Sequence, residues 1–201
     1  SLYARFKVAI EEHILLLKGR VDFNSTILRF ATAFGLSPRM RFDLTISEFT
    51  RQLFLGRELL VYDADTWRPY CHVRDFARLI QKVIEAPASD VSFEVFNVGG
   101  DENNYTKQMI VDEILKFIPA GRVKYSEHDS DQRNYRVDFS KVRTVLGFAP
   151  AYSVPDGIKE LIGAMEQHVF DRVDERRNFF GNYEIDYAPS LCLTEVKQPA
   201  G

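Results

Sequence analysis

Cysteine is nearly absent from this 201-residue chain: Cys71 and Cys192 are too few and too far apart for a disulfide framework or a zinc site. A reducing cytoplasm suits that usage. Long apolar runs are absent too; the stretch from Ile14 to Leu17 falls far short of a membrane span, and no charged-then-apolar leader opens the sequence. Neither sign of charge dominates. With 26 Lys and Arg against 29 Asp and Glu, the net charge is −3, which gives no electrostatic footprint for nucleic acid or an anionic membrane. No second histidine stands at ligand spacing, so no metal is expected. The 11 glycines never fall into the Gly-x-Gly-x-x-Gly spacing that cradles a dinucleotide. Gly99-Gly100 is the only close pair and reads as a tight turn after a strand. What is there is ordinary globular content, 45% hydrophobic and 27% charged, enough to bury a core in one or two domains.

Periodicity and punctuation predict an α/β chain. Residues 2–17 read as a helix, with Phe6, Ile10, Ile14 and Leu17 forming an apolar stripe on the side of Tyr3 and Lys7. A buried strand over 25–33 ends toward Gly35 and Pro38. A helix over 43–55 is stopped by Gly56, a short strand covers 58–62, and 63–66 is a turn. Another helix covers 73–86, and 93–98 is a buried strand. Thr106 caps a helix running to about Ile118, strands at 123–127 and 135–138 flank a polar loop, and Ser140 caps a brief helix ending at Gly147. Ser153 and Asp156 have capping-box spacing at the start of a last long helix, to about Val169. From Asp171 the sequence is charged and aromatic without clear period, and a loose tail is expected beyond Pro189.

Tyr3 and Lys7 are the most informative pair. Four-residue spacing in a helix places a phenol and an ammonium on one face. A free tyrosine has a pKa near ~10, so using its phenolate at neutral pH requires roughly 4 kcal/mol. One cation about 5 Å away supplies roughly 3 kcal/mol at an effective dielectric of ~20. A lysine and a second positive group, such as an oxidised nicotinamide, together suffice. The alternative is an exposed aromatic and an exposed lysine on an amphipathic helix.

Four segments in order, from Ser1 to about Val169, resemble the extended short-chain dehydrogenase/reductase family, specifically its NAD-dependent nucleotide-sugar epimerases and dehydratases. The first, Ser1-Leu2-Tyr3-Ala4-Arg5-Phe6-Lys7, is similar to the catalytic Tyr-x-x-x-Lys helix. The resemblance implies that Tyr3 takes a proton from a sugar hydroxyl and that Lys7 holds the nicotinamide ribose and activates the tyrosine. Ser1 inherits no role. In the second, Leu28 to Gly35 resembles the strand whose end approaches the nicotinamide, which implies cofactor contacts at Ala31 and Thr32. Its continuation, Ser37 to Leu44, resembles the turn and helix start where the nucleotide diphosphate sits, implicating Arg39, Arg41, Asp43 and Leu44; solvated loop arginines are the alternative. The third, Trp67 to Asp75, resembles an Arg-x-x-x-His-Val-x-Asp segment and makes Arg68 a diphosphate clamp, a task that suits a planar guanidinium. His72 reads there as a structural hydrogen-bonder. The fourth, Asp131 to Lys141, resembles a late segment whose arginine closes the other side of the diphosphate, with Arg133 the candidate and Arg136 the fallback. Asp138 and Ser140 read as helix caps.

The resemblance implies residues 1–38, with strand 93–98 returning to them, as the last helix and strand of a Rossmann-type parallel sheet domain. Residues 39–170 are then mainly a smaller mixed α/β substrate-binding domain, and 171–201 an irregular tail. It implies NAD, with NADP possible, a nucleotide-diphosphate sugar as substrate, and a homodimer formed through the Tyr3–Lys7 helix. The sequence as given reads as the second half of an enzyme whose cofactor-binding half is absent. Two other readings stay open. One is a non-catalytic nucleotide-sugar-binding or interaction module. The other is a reductase acting on a free carbonyl compound, which would leave Arg68 and Arg133 without a phosphate.

Overall fold

A computed structural model describes residues 2–127 and 134–182. Helix α1 spans Leu2–Leu16, a stretch free of glycine and proline, and Gly19 turns the chain with φ +74. No residue of α1 is fully buried; of the predicted apolar stripe, Phe6 at 65% and Ile10 at 40% are exposed, and Ile14 and Leu17 are half-buried.

The single strand predicted over 25–33 is two strands. β1 (Thr26–Phe30) pairs in parallel with β5 (Glu94–Val98), from Thr26 opposite Glu94 to Phe30 opposite Val98. β2 (Thr32–Phe34) pairs in parallel with β4 (Trp67–His72), which pairs antiparallel with β6 (Asn104–Thr106). The chain changes sheets at Ala31, whose N–H still bonds the Val98 carbonyl at 3.0 Å. Sequence patterning left β4 unassigned because Pro69 interrupts the run, and it read the end of β6 only as the start of the helix that Thr106 caps. Pro69 faces only Asn104, and the β2 pairing begins one residue later at Tyr70, so the absent N–H costs no bond on that side. A third sheet joins β3 (Leu59–Tyr62) in parallel to β7 (Val123–Ser126).

Helices α2 (Thr45–Phe54), α3 (Val73–Glu85), α4 (Ala88–Val91), α5 (Lys107–Phe117), α6 (Ser140–Leu146), α7 (Val154–Glu166) and α8 (Arg177–Phe180) complete the described fold. Local chemistry sets their ends. Thr106 Oγ1 accepts the Met109 N–H at 3.1 Å, and Ser153 with Asp156 forms the full capping box that opens α7. That helix stops short of the predicted Val169 because His168 adopts φ +58. Ser140 is the first residue of α6 and not its cap; Asp138 accepts both its N–H, at 2.9 Å, and its hydroxyl, at 2.7 Å. The predicted strand over 135–138 does not form. There the Asn104 side chain takes the place of a strand partner, accepting the Val137 N–H at 3.1 Å.

Three apolar clusters hold these layers. Leu53, Val61, Ile110, Ile114 and Ile158 fasten α2, β3, α5 and α7 together. Cys71, Leu79, Phe96, Val98, Phe139 and Phe148 pack α3 and α6 on β5. Met40, Phe42, Leu161, Met165 and Phe180 join the loop before α2 to α7 and α8. Each fully buried aliphatic or aromatic side chain contributes about 1.5–3 kcal/mol, which ties the loops carrying the polar candidates to rigid helices. No described helix is long and apolar enough to cross a membrane.

Candidate functional site

Helix α1 places the Lys7 ammonium 5.6 Å from the centre of the Tyr3 ring. Glu11, one further turn along the same face, takes a bidentate grip on Arg29 of β1: Nε donates to Oε2 at 2.9 Å, and Nη2 pairs with Oε1. That guanidinium holds the Glu11 carboxyl below the usual carboxylate range. Arg29 in turn borders a hollow of about 300 Å³ lined by Ala31, Thr32, Pro69, Asn97, Tyr135 and Phe139. The hollow exists because the chain leaves one sheet for the other at Ala31. Its floor depends on Gly99, where a Cβ would stand 2.7 Å from the Phe139 ring and 3.4 Å from the Ala31 methyl. Ala31 and Thr32, the predicted cofactor contacts, therefore face a real opening.

A second hollow, of about 190 Å³, is lined by Phe34, Gly35, Arg39, Arg41, Leu44 and Ser47. Leu44 precedes α2 and offers no side-chain cap to its first turn, which leaves the dipole end of that helix to other partners. The predicted phosphate ligands here are engaged with the protein. Arg41 forks onto Asp43 at 2.6 and 2.5 Å, and this bond lowers the Asp43 carboxyl. Burial, followed by the Asp43 charge, raises the carboxyl of Glu48 in the first turn of α2. Arg39, which also lines the hollow, donates to the carbonyls of Gly181 at 2.9 Å and Asn178 at 3.5 Å.

Residues 171–181, predicted to be irregular, form with Phe170 a strap across this loop. A 3-10 turn (Val173–Glu175) and α8 are pinned by Asp174, which receives Arg51 at 3.1 Å and Arg57 at 2.8 Å. Phe42 donates its N–H to the Phe180 carbonyl at 2.8 Å and packs its ring on Phe170 and Phe180. The cluster of Phe170, Phe179 and Phe180 was the available signal.

Arg68 projects from β4, donates to the Trp67 carbonyl at 2.8 Å and lies over the Tyr135 ring at 5.4 Å. Since Tyr135 also lines the first hollow, Arg68 adjoins that opening through an aromatic neighbour. Arg136, the fallback, lies over Trp67 at 4.5 Å; Arg133 lies outside the described residues. His72 is buried and structural, as its sequence context implies. Its Nδ1 accepts the Arg74 N–H at 3.1 Å to start α3, so Nε2 carries the proton toward Glu160 at 3.0 Å. Glu160 also accepts the Leu36 N–H at 3.1 Å and pairs with Arg74 at 2.8 Å. Burial raises its carboxyl, but the bonds from Leu36 and His72, with the Arg74 charge, carry the net shift downward. Asp75, fully buried, ties α3 to the turn before α7 through the N–H groups of Ala151 and Tyr152. Among the described residues no group of three or more His, Cys, Asp or Glu could hold a metal ion.

Residues 1–99 match the sequence model of the NAD dependent epimerase/dehydratase family. A UDP-glucuronate 4-epimerase of Thermodesulfobacterium geofontis is 22% identical over 147 residues, 72% of this chain and 44% of that protein. A dTDP-glucose 4,6-dehydratase of Streptomyces niveus is 30% identical over 118 residues, 57% of this chain and 34% of that one. The chain thus spans less than half the length of these two curated relatives. Among solved structures, a dTDP-glucose 4,6-dehydratase from Bacillus anthracis in complex with NAD superposes with a TM-score of 0.71 at 22% identity, over 83% of this chain and 52% of that one. A UDP-glucuronic acid 4-epimerase from Bacillus cereus, in complex with UDP-glucuronic acid and NAD, gives 0.66 at 22% identity, over 78% and 50%. These likenesses show the fold.

Proposed function

We propose, on the premise that this chain belongs through residues 1–99 to the NAD dependent epimerase/dehydratase family, that it serves an NAD-dependent nucleotide-sugar epimerase or dehydratase. In this reading Tyr3 accepts, at its Oη, the proton of the sugar hydroxyl that is being oxidised, and the Lys7 ammonium beside it stabilises the phenolate. NAD, when bound, supplies the hydride acceptor. The small side chains of Ala31 and Thr32 at the first hollow fit the nicotinamide end of that cofactor. Arg68 and Arg133 clamp the substrate diphosphate from two sides. Arg39, Arg41, Asp43 and Leu44 form the loop against which it lies, with Arg41 held in place by Asp43.

Residues 1–38 with 93–98 act as the cofactor-side unit and 39–170 as the substrate side. The open apolar face of α1, with Leu2 and Phe6 more than half exposed, is read as the surface that pairs with a second copy. The observation that carries the proposal is the Tyr3–Lys7 pair on one helix face, continued by Glu11 onto the strand that borders the Ala31–Thr32 hollow. The test is Tyr3→Phe in the full protein, assayed with UDP- and dTDP-linked sugars. Turnover is expected to fall by about 10²–10⁴-fold while calorimetric NAD and nucleotide affinities stay unchanged. Turnover retained within about tenfold overturns the assignment.

A further inference from the structure

We propose that Glu11 and Arg29 are a positioning pair: their two-pronged clamp between α1 and β1 sets the rotation at which Tyr3 and Lys7 are presented to the hollow beside Ala31 and Thr32. This inference rests on the function proposed above for Tyr3 and Lys7. No residue of α1 is fully buried, and among the described residues only Glu11, Ile14 and Leu15 of this helix are half-buried, so few side chains hold its angle about its own axis there. A small rotation would matter. With side-chain tips about 6 Å from a helix axis, a turn of ~20° moves a terminal atom by roughly 2 Å, and a misplacement of about 1 Å costs on the order of 10²-fold in rate.

The Glu11–Arg29 contact has the geometry to prevent that turn. Both guanidinium edges are used, Nε on Oε2 at 2.9 Å and Nη2 on Oε1, and two parallel bonds between planar groups fix an angle as well as a distance. Arg29 is held by the register of β1 on β5, where it faces Asn97, a residue that also lines the hollow. Tyr3, Lys7 and Glu11 follow one another at four-residue intervals, so the clamp acts on the face that carries the chemistry, about 12 Å along the axis from Tyr3. A pair of which Arg29 is more than half exposed adds little to stability. Its loss is therefore expected in turnover and helix dynamics, and not in folding.

The experiment uses the full protein carrying Glu11→Gln, Arg29→Lys and the charge swap E11R/R29E, with kinetics against a nucleotide sugar and amide hydrogen exchange over residues 2–16. Each single variant is expected to lower kcat by about 10–100-fold, to leave KM within about twofold and to speed exchange in α1. The swap is expected to return both readouts to within about threefold of wild type, because it restores a two-pronged pair. Single variants that keep both kcat and exchange at wild-type levels overturn the proposal, as does a swap no better than the worse single variant. Should the wild-type protein turn over no nucleotide sugar, the functional reading above fails on its own. Exchange then decides the clamp: faster in the single variants and restored in the swap upholds it, and unchanged exchange refutes it.

Discussion

Replacing Gly35 by alanine would set a methyl group against a ring that has nowhere to go. Gly35 closes β2 with φ +97, and a Cβ there would stand 2.5 Å from Cε1 and 2.6 Å from Cδ2 of His72, where carbon atoms settle at about 3.5–4.0 Å. His72 is 1% exposed. It is held at Nδ1 by the Arg74 N–H and at Nε2 by Glu160, and it lies between the Tyr152 ring, stacked at 4.5 Å, and the edge of Phe34 at 5.1 Å. The strained backbone costs about 1–3 kcal/mol and overpacking about 1–3 kcal/mol. Weakening the bond to Glu160 adds about 1 kcal/mol, for a total of about 3–7 kcal/mol. Gly56 supplies the control, because it has φ +68 but nothing within 4 Å of its Cβ position, so Gly56→Ala carries only the conformational cost of about 1–2 kcal/mol. Urea denaturation followed by far-UV circular dichroism measures both variants from the midpoint at constant slope. Equal losses, within about 0.5 kcal/mol of each other, would refute the collision with His72. The consequence reaches the site, since Glu160 also holds the Leu36 N–H that leads into the loop carrying Arg39 and Arg41.

Two further outcomes follow from the same geometry. Asp174→Asn removes the pin of the strap. Because Arg51 and Arg57 hold the native carboxyl below its ordinary range and the group is half exposed, the loss is about 1 kcal/mol at neutral pH. A depressed native pKa stabilises above the unfolded value, near ~4, and that stabilisation fades as pH falls below it. The gap between wild type and variant in urea titrations is thus expected to close in acid, and a gap that does not change with pH would contradict the pairing. Arg68→Ala in the full protein is expected to weaken nucleotide-sugar binding by about 10–100-fold, the worth of a charge-assisted contact of ~1.5–3 kcal/mol, while Arg68→Lys recovers part of it. Calorimetry showing unchanged affinity in the alanine variant would remove Arg68 from the substrate site.

Much of the helix content was legible because its signals are local. The Ser153–Asp156 box, the Thr106 cap and the glycine after α1 each act within one turn of chain. Elements that depend on partners distant in sequence were less legible. β4 reads as a connection until β2 and β6 flank it, and residues 135–138 alternate like a strand, but Val137 bonds to the Asn104 side chain instead of a ladder. The site divides in the same way. Four-residue spacing placed Tyr3 beside Lys7, and a lone histidine at a helix start marked His72 as structural, but such local signals have a limit. They could not reveal that Arg39 would turn to the Gly181 carbonyl, across 142 residues of sequence, or that Glu11 would find Arg29. Those partners are set by which segments the tertiary fold lays together.

The sheet change at Ala31 bears on how the chain can vary. Both flanking pairings are parallel with fixed registers, Phe30 on Val98 before the joint and Thr32 on Tyr70 after it, so one residue bridges them. Strand side chains alternate sides, and removing or adding a residue there would send Phe34, now 5% exposed within the largest apolar cluster, toward water. The spacing of this stretch is therefore constrained as strictly as its composition: side chains at the joint can be exchanged within the available volume, but its length cannot drift.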